Sequence, residues 1–267
     1  MNKPIDVHVL SAAQRFGFRP TGTGGHMARS MMLQEILALV SSVPASASRE
    51  QYKSAILDEN VLGKPTFSSR EKSYRHLMQL YGLDPKLTLF RVFRELSEKD
   101  MASVPLMALM CTYCRDPQLR QSFELIERLR VGETLTRKQM EEHIEAGFPN
   151  RFSPAMKKSL AQNLNTTWTA AGHLKGKAKK TRSLPEPTVP ASTYAMFAGF
   201  LLGLRGEILV RSVFGALVGG SAETIVSHLS AASGRSWLRF RHAGGVFEID
   251  FAPMLLPAEQ GVLLGAH

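Results

Sequence analysis

The chain has 267 residues, a hydrophobic content of 44% and a formal net charge of +10 at pH 7. This length can bury a real core in one large or two ordinary domains, and having only two cysteines, Cys111 and Cys114, excludes a disulfide-dense scaffold. The first 20 residues lack the apolar core of a secretory signal, and no apolar run approaches the roughly 20 residues that span a bilayer, so we expect a cytoplasmic protein without membrane insertion.

The positive charge is concentrated in one segment. Residues 151–182, called here the basic stretch, contain eight lysine and arginine residues and no aspartate or glutamate, so they carry eight of the ten net charges. A basic block inside a near-neutral chain is typical of a surface that meets a polyanion. The alternative is a solvated lysine-rich loop, although surfaces usually mix both signs of charge.

The first half of the chain predicts an arm and a helical bundle. Residues 1–26 show no periodic pattern and predict a flexible N-terminal arm, which ends near the glycine-rich run TGTGG at 21–25. From 27 to 130 apolar residues recur at helical spacing, which predicts a compact bundle. Its helices are expected at about 27–41, 50–60, 69–81, 86–97, 104–115 and 117–129. Asp84-Pro85 and Asp116-Pro117 are typical helix starts, because aspartate caps free amides and proline suits the first helical position.

Residues 131–184 predict a different unit. Thr136 and Gln139 form a capping box for a helix that stops at Gly147, and Ser153-Pro154 opens a second helix. The apolar stripe of that second helix consists of Met156, Leu160, Leu164 and Trp168. Helix, short turn, helix and a basic extended segment follow the order of a winged helix-turn-helix.

The polar face of this second helix and the segment after it supply candidate nucleic-acid-binding residues. Amide and hydroxyl side chains beside a lysine can bond base edges and phosphates, and alternate lysines of an extended segment share one side. The candidates are Arg151, Lys157, Lys158, Gln162, Asn165, Thr166, Lys175, Lys177, Lys179, Lys180 and Arg182.

The last third of the chain predicts a proline-rich linker at 185–190, a C-terminal lobe at 191–255 and a tail at 256–267. Helices are expected at about 191–205 and 222–233. Residues 237–251 predict a β-hairpin, because Arg239 and Arg241 alternate with apolar residues before the turn and Glu248 and Asp250 do so after it. The turn lies within 242–245 and closes on Ala-Gly or on Gly-Gly. In either case the arginines meet carboxylates on the exposed face.

The expected fold class is therefore mainly α and two-lobed: an N-terminal helical bundle, a winged helix-turn-helix-like segment, and a C-terminal lobe of helices plus a β-hairpin.

No catalytic or metal-binding motif stands out. The eight histidines are scattered, and the His143-Ile144-Glu145 triplet is not followed by the Pro-Cys-x-x-Cys of a zinc deaminase. The sequence has no phosphate loop, Gly-x-Ser-x-Gly elbow or dinucleotide fingerprint. Cys111 and Cys114 lack a second pair of ligands, and we interpret them as buried apolar side chains, with a redox role as the alternative. We expect no enzymatic activity, metal or cofactor.

Several segments resemble the BrxA family of the BREX bacteriophage-exclusion systems. The resemblance is carried by TGTGG at 21–25, DENVLGKPT at 58–66 with Arg70 after it, FSPA at 152–155 and NLNTTW at 163–168, and it spans roughly residues 20–255. It implies a predominantly helical, two-lobed accessory protein of a phage-defence locus, similar to NusB-like helical folds and linked to double-stranded DNA binding. The resemblance implies no enzymatic activity, and other BREX components become candidate partners.

Three functions remain open from the sequence. The first is a double-stranded DNA-binding accessory subunit in phage defence, the second an RNA-binding, antitermination-like module, and the third a protein–protein scaffold whose lysines meet an acidic partner. Phe152 and Trp168 are the only large aromatic residues in the basic stretch. Because single-stranded nucleic acids are usually bound by stacking on aromatic side chains, this scarcity favours contacts with the backbone of a duplex.

Overall fold

The computed structural model describes residues 5–243 and 246–264, and it confirms a mainly α-helical fold. The helices are α1 (Val7–Ala12), α2 (Leu33–Ser42), α3 (Arg49–Leu57), α4 (Phe67–Tyr81), α5 (Thr88–Ser97), α6 (Val104–Arg115), α7 (Pro117–Arg128), α8 (Arg137–Gly147), α9 (Pro154–Ala170), α10 (Val189–Leu201), α11 (Gly206–Val210), α12 (Val213–Val218), α13 (Ala222–Gly234) and α14 (Pro257–Leu264). The strands are β1 (Thr134–Leu135), β2 (Leu174–Lys175), β3 (Lys180–Arg182), β4 (Arg239–Ala243) and β5 (Val246–Asp250).

Capping side chains set several helix starts. The Asp116 carboxylate accepts hydrogen bonds from the amides of Gln118 and Leu119, and Pro117 occupies the first turn of α7, as predicted. The predicted start at Asp84-Pro85 is wrong. Asp84 closes a turn instead, because its carbonyl accepts from the Leu87 amide at 3.0 Å, and α5 begins at Thr88.

The N-terminal segment is packed, so the expectation of a flexible arm is wrong for residues 5–26. Phe16 and Phe18 are buried in the core. The glycines at 24 and 25 allow close approach: a Cβ on Gly24 would lie 2.1 Å from Asp116 Oδ1, and one on Gly25 would lie 2.5 Å from Leu80 Cδ2. Glycine at these positions therefore lets the chain fit against α7 and α4.

The helix after the proline-rich segment belongs to the same core as the bundle. Residues 190–201 of α10 are all buried, and the Tyr194 hydroxyl donates to the Leu89 carbonyl of α5 at 3.0 Å. The Tyr194 ring meets Phe93 edge-on at 6.1 Å. Pro185 and Pro190 are themselves buried, so residues 185–190 are not an exposed linker. One hydrophobic cluster extends from the N-terminal segment to residue 255.

The C-terminal hairpin has the predicted pairing. Arg239 lies opposite Asp250 and Arg241 opposite Glu248, and the Arg239 guanidinium is 2.9 Å from the Asp250 carboxylate. Ile249 is buried on the other face. The predicted turn falls partly outside the described residues, since 244 and 245 are not among them.

Within the tail expected at 256–267, Glu259 of α14 accepts a hydrogen bond from Arg91 at 2.6 Å.

Within residues 5–243 and 246–264, no single helix is both long and apolar enough to cross a membrane. The segments Gly206–Val218 and Ala222–Gly234 meet that test of length and composition only as a pair, bent by 100° at their junction.

Candidate nucleic-acid interface

The chain from α7 to β3 has the connectivity of a winged helix-turn-helix. Its elements follow in the order α7, β1, α8, α9, β2, β3, and the three strands form an antiparallel sheet in the order β1-β3-β2. The helix-turn-helix is α8 and α9, and the hairpin of β2 and β3 is the wing. The sequence predicted both helices and the wing. It did not reveal β1, because two residues are too short for a periodic signal.

Packing orients α9. Leu160, Leu164 and Trp168 are fully buried, and the Trp168 Nε1 donates to Ser122 Oγ of α7 at 2.9 Å. Met156 was expected on the same stripe but is 45% exposed. Residues four apart on a helix are offset by about 40° around its axis. Met156 is three such steps, or about 120°, from Trp168, so it lies outside the buried face.

The outward face of α9 is polar and free of acidic residues. Lys158, Gln162 and Thr166 are exposed, as predicted. Asn165 is a correction, because it is only 6% exposed and lies about 60° around the helix from Gln162, beyond the edge of the open face. Lys157 is half-buried, and its Nζ lies 2.7 Å from Glu145 Oε2 at the end of α8, so its charge is already paired.

The wing presents free lysines at its tip. Lys175, Lys177 and Lys179 are exposed, and none of them has an acidic partner in the part of the chain that the structure describes. Gly176 turns the tip with φ +96°, and a Cβ there would lie 2.2 Å from the Lys179 carbonyl oxygen. Lys180 is half-buried: its Nζ donates to the Gly176 carbonyl at 2.7 Å, and burial lowers its pKa. The tip therefore offers three unpaired cations.

Arg182 lies at the base of the wing and is only 7% exposed, which corrects its expected role in DNA contact. Its guanidinium donates to the carbonyls of Ser183 and His173 and to His173 Nδ1. Burial, and then the charge of Arg182, lower the pKa of His173 to about 3, so the ring is neutral. Because Nε2 lies 3.1 Å from the Leu217 carbonyl, the proton is on Nε2 and Nδ1 accepts from Arg182. His173 thus ties the base of the wing to α12, and Arg182 holds the His173 ring in place.

Arg151 is exposed in the turn between α8 and α9. Its guanidinium carbon lies 5.5 Å from the centre of the Phe148 ring and 5.6 Å from that of Phe152. Stacking on two rings restricts the side chain while its charge faces solvent, so Arg151 is positioned for an anion beside α9.

A buried cluster that the sequence did not reveal joins the N-terminal segment to this unit. His26 Nδ1 lies 2.9 Å from Asp116 Oδ2, and His26 Nε2 lies 2.9 Å from Thr167 Oγ1 on α9. Burial would raise the pKa of Asp116, but the charge and hydrogen bonds of His26 outweigh it and lower that pKa. His26 and Thr167 are 0% exposed, and Thr167 Oγ1 also accepts the Met31 amide. The cluster resembles a catalytic triad in its order of contacts, yet no substrate can reach it.

The side chains needed for a metal site are not brought together in the parts of the chain that the structure describes. No group of three or more His, Cys, Asp or Glu side chains there could hold a metal ion. Cys111 and Cys114 are buried free thiols, and burial raises the pKa of both.

No protein-family model matches the chain. No curated protein matches it either.

Proposed function

We propose that the chain is a non-catalytic, double-stranded DNA-binding accessory component of a BREX-type phage-defence system in the cytoplasm. It binds DNA mainly through phosphate contacts. The observation that carries the proposal is the winged helix-turn-helix connectivity of α7 to β3, combined with an acid-free outward face on α9 and three unpaired lysines at the wing tip.

The exposed side chains of this unit suit a duplex backbone. Lysine contacts phosphate as a point charge and releases condensed counterions, which gives affinity without sequence preference. Gln162 and Thr166 are exposed on α9, the helix that such folds insert into the major groove. With Asn165 buried, few amide groups are left to read bases. Phosphate contacts therefore dominate the proposed binding.

Burial of the aromatic residues argues against the RNA-binding alternative. Trp168 is 0% exposed and Phe152 is 8% exposed, so neither offers a platform on which an unpaired base could stack. A scaffold that meets an acidic protein partner would use the same lysines, and binding experiments distinguish it from the DNA-binding function.

The assignment to phage defence rests on the resemblance of the sequence to the BrxA family. The residues that carry the resemblance have structural roles here. The Asn60 side chain bonds both the amide and the carbonyl of Lys64, and the Lys64 ammonium lies 2.8 Å from Glu35. Genes for the other BREX components beside the gene for this chain would support the assignment.

The binding proposal predicts a specific pattern in gel-shift titrations. Duplex DNA of unrelated sequences should bind with similar affinity, more tightly than duplex RNA or single strands of equal length. A plot of the logarithm of the affinity against the logarithm of the salt concentration should be a falling straight line. Its slope should be about −0.9 for each neutralised phosphate. Tighter binding to RNA would favour the antitermination-like alternative, and no binding to any nucleic acid at any salt concentration would leave only the scaffold.

A further inference from the structure

The N-terminal segment borders the outward face of α9, on which Lys158, Gln162 and Thr166 are exposed. The Asn163 side chain donates to the His26 carbonyl at 2.9 Å, and the Met31 amide donates to Thr167 Oγ1 at 2.9 Å. Across the exposed face, Asn163 and Asn165 lie about 160° apart around the helix, so they mark its opposite edges. Residues 26–31, called here the bordering segment, therefore run along the Asn163 edge of α9.

Both ends of the bordering segment are fixed. His26 is held by Asp116 and Thr167, and the Met31 carbonyl accepts from the Tyr81 hydroxyl at 2.5 Å. Between these ends Arg29 is exposed, and its amide donates to the Gly25 carbonyl at 3.1 Å. Because the backbone around Arg29 is already fixed, only the side chain loses conformational freedom when this cation meets an anion.

Helix α4 brings further basic side chains to the same place. The Gln79 side chain donates to the Thr23 carbonyl at 2.7 Å, which ties α4 to the chain just before the bordering segment. Arg75 precedes Gln79 by one turn of α4, so the two share the helix face that borders this segment. Burial lowers the pKa of His76, and the charges of Arg29 and Arg75 lower it further. Arg75 is exposed like Arg29, and neither forms an ion pair with any residue that the structure describes.

We infer that Arg29 and Arg75 form a second phosphate-contacting site beside α9, so that the helical bundle as well as the winged unit contacts a DNA duplex. The major groove is about 12 Å wide and is bordered by two phosphate backbones, so a helix lying in it has phosphates along both of its edges. Two unpaired arginines that border the Asn163 edge complement one of these backbones in charge. The inference rests on the proposed DNA-binding function.

The test is the double variant Arg29→Gln with Arg75→Gln, titrated against duplex DNA over a salt series. We expect the log–log salt slope to become shallower by about 1.8, and the affinity to fall roughly 10-fold or more at 0.1 M salt. Backbone footprinting should show lost protection on one strand beside the α9 contact. The matched control, Arg239→Gln with Arg241→Gln, removes the same charge from exposed positions in the hairpin.

The outcomes separate this inference from the function on which it rests. If the wild type binds duplex DNA and the Arg29/Arg75 variant, with an unchanged melting temperature, keeps the wild-type slope and footprint, the second site is refuted and the DNA-binding function stands. If the wild type binds no duplex at any salt concentration, both fail. A shallower slope and a lost footprint for the Arg29/Arg75 variant, with no change for the hairpin control, establish the second site.

Discussion

Trp168 joins α9 to the rest of the molecule. Its ring stacks on Phe123 of α7 with centroids 5.5 Å apart, and it also meets His173 edge-on at 5.1 Å. The same side chain therefore holds α9 against α7 and also fixes the start of the wing, which follows His173 directly.

Replacing Trp168 by alanine should lower the free energy of unfolding by about 3–5 kcal/mol, because a large cavity would open between α7 and α9. Urea denaturation of the two proteins measures the difference. Trp168→Phe is the control: it keeps a ring on Phe123 but loses the hydrogen bond to Ser122 and part of the buried ring, for a smaller cost of about 1–2 kcal/mol. An unchanged urea midpoint for the alanine variant would contradict the packing described for α9.

At the scale of elements, the wing and the C-terminal hairpin contrast in their charges. Each is a two-stranded element with exposed cations. The arginines of the hairpin face carboxylates, with Arg239 paired to Asp250 at 2.9 Å and Arg241 near Glu248 at 3.9 Å. The wing-tip lysines have no such partners among the described residues. Paired surface charges attract a polyanion less, because the carboxylates repel it.

Replacing Lys175, Lys177 and Lys179 together by glutamine should weaken binding to all duplex sequences alike. If all three contact phosphates, the salt slope becomes shallower by about 2.7. Circular dichroism and the melting temperature should not change, because these side chains are exposed. The hairpin variant, Arg239→Gln with Arg241→Gln, should change binding much less. If the hairpin variant lost binding and the wing variant kept it, the hairpin would be the DNA-binding element.

At the scale of the whole molecule, the winged unit and the C-terminal helices share a core with the bundle. The His173 ring bonds the Leu217 carbonyl of α12, and Tyr194 of α10 bonds the Leu89 carbonyl of α5. Because the core is continuous across 185–190, unfolding of one half would expose apolar surface on the other half.

Unfolding should therefore be a single cooperative transition. The two tryptophans allow this to be tested, since Trp168 lies in the winged unit and Trp237 precedes the C-terminal hairpin. In Trp237→Phe the fluorescence reports on Trp168, and in Trp168→Phe it reports on Trp237. Each variant's fluorescence transition should coincide with its own circular dichroism transition. Fluorescence and circular dichroism midpoints that differ within one variant would show that the halves unfold separately.

Local signals in the sequence were enough to predict much of the candidate site. The Thr136–Gln139 capping box, the Ser153-Pro154 start and the lysine-rich segment each depend on neighbouring residues, and α8, α9 and the wing lie where these signals placed them. The opposed charges of the hairpin are likewise a short-range pattern. The start of a capped helix and the pairing of two strands in a hairpin depend on residues close together in the chain. The sequence by itself therefore determined them.

Only the tertiary structure decided which charges face solvent and which lie together. The sequence pattern predicts Arg182 and Asn165 as exposed polar residues, yet the fold buries both. The glycine-rich run at 21–25 predicts a flexible arm, although two of its glycines, Gly24 and Gly25, are required for the close approach to Asp116 and Leu80. Arg29 lies beside α9 because His26 bonds residues 90 and 141 positions away, and α4, which carries Arg75, is tied to the same N-terminal segment by Gln79 and Tyr81. Burial and charge proximity depend on long-range contacts, which no local pattern in one sequence records.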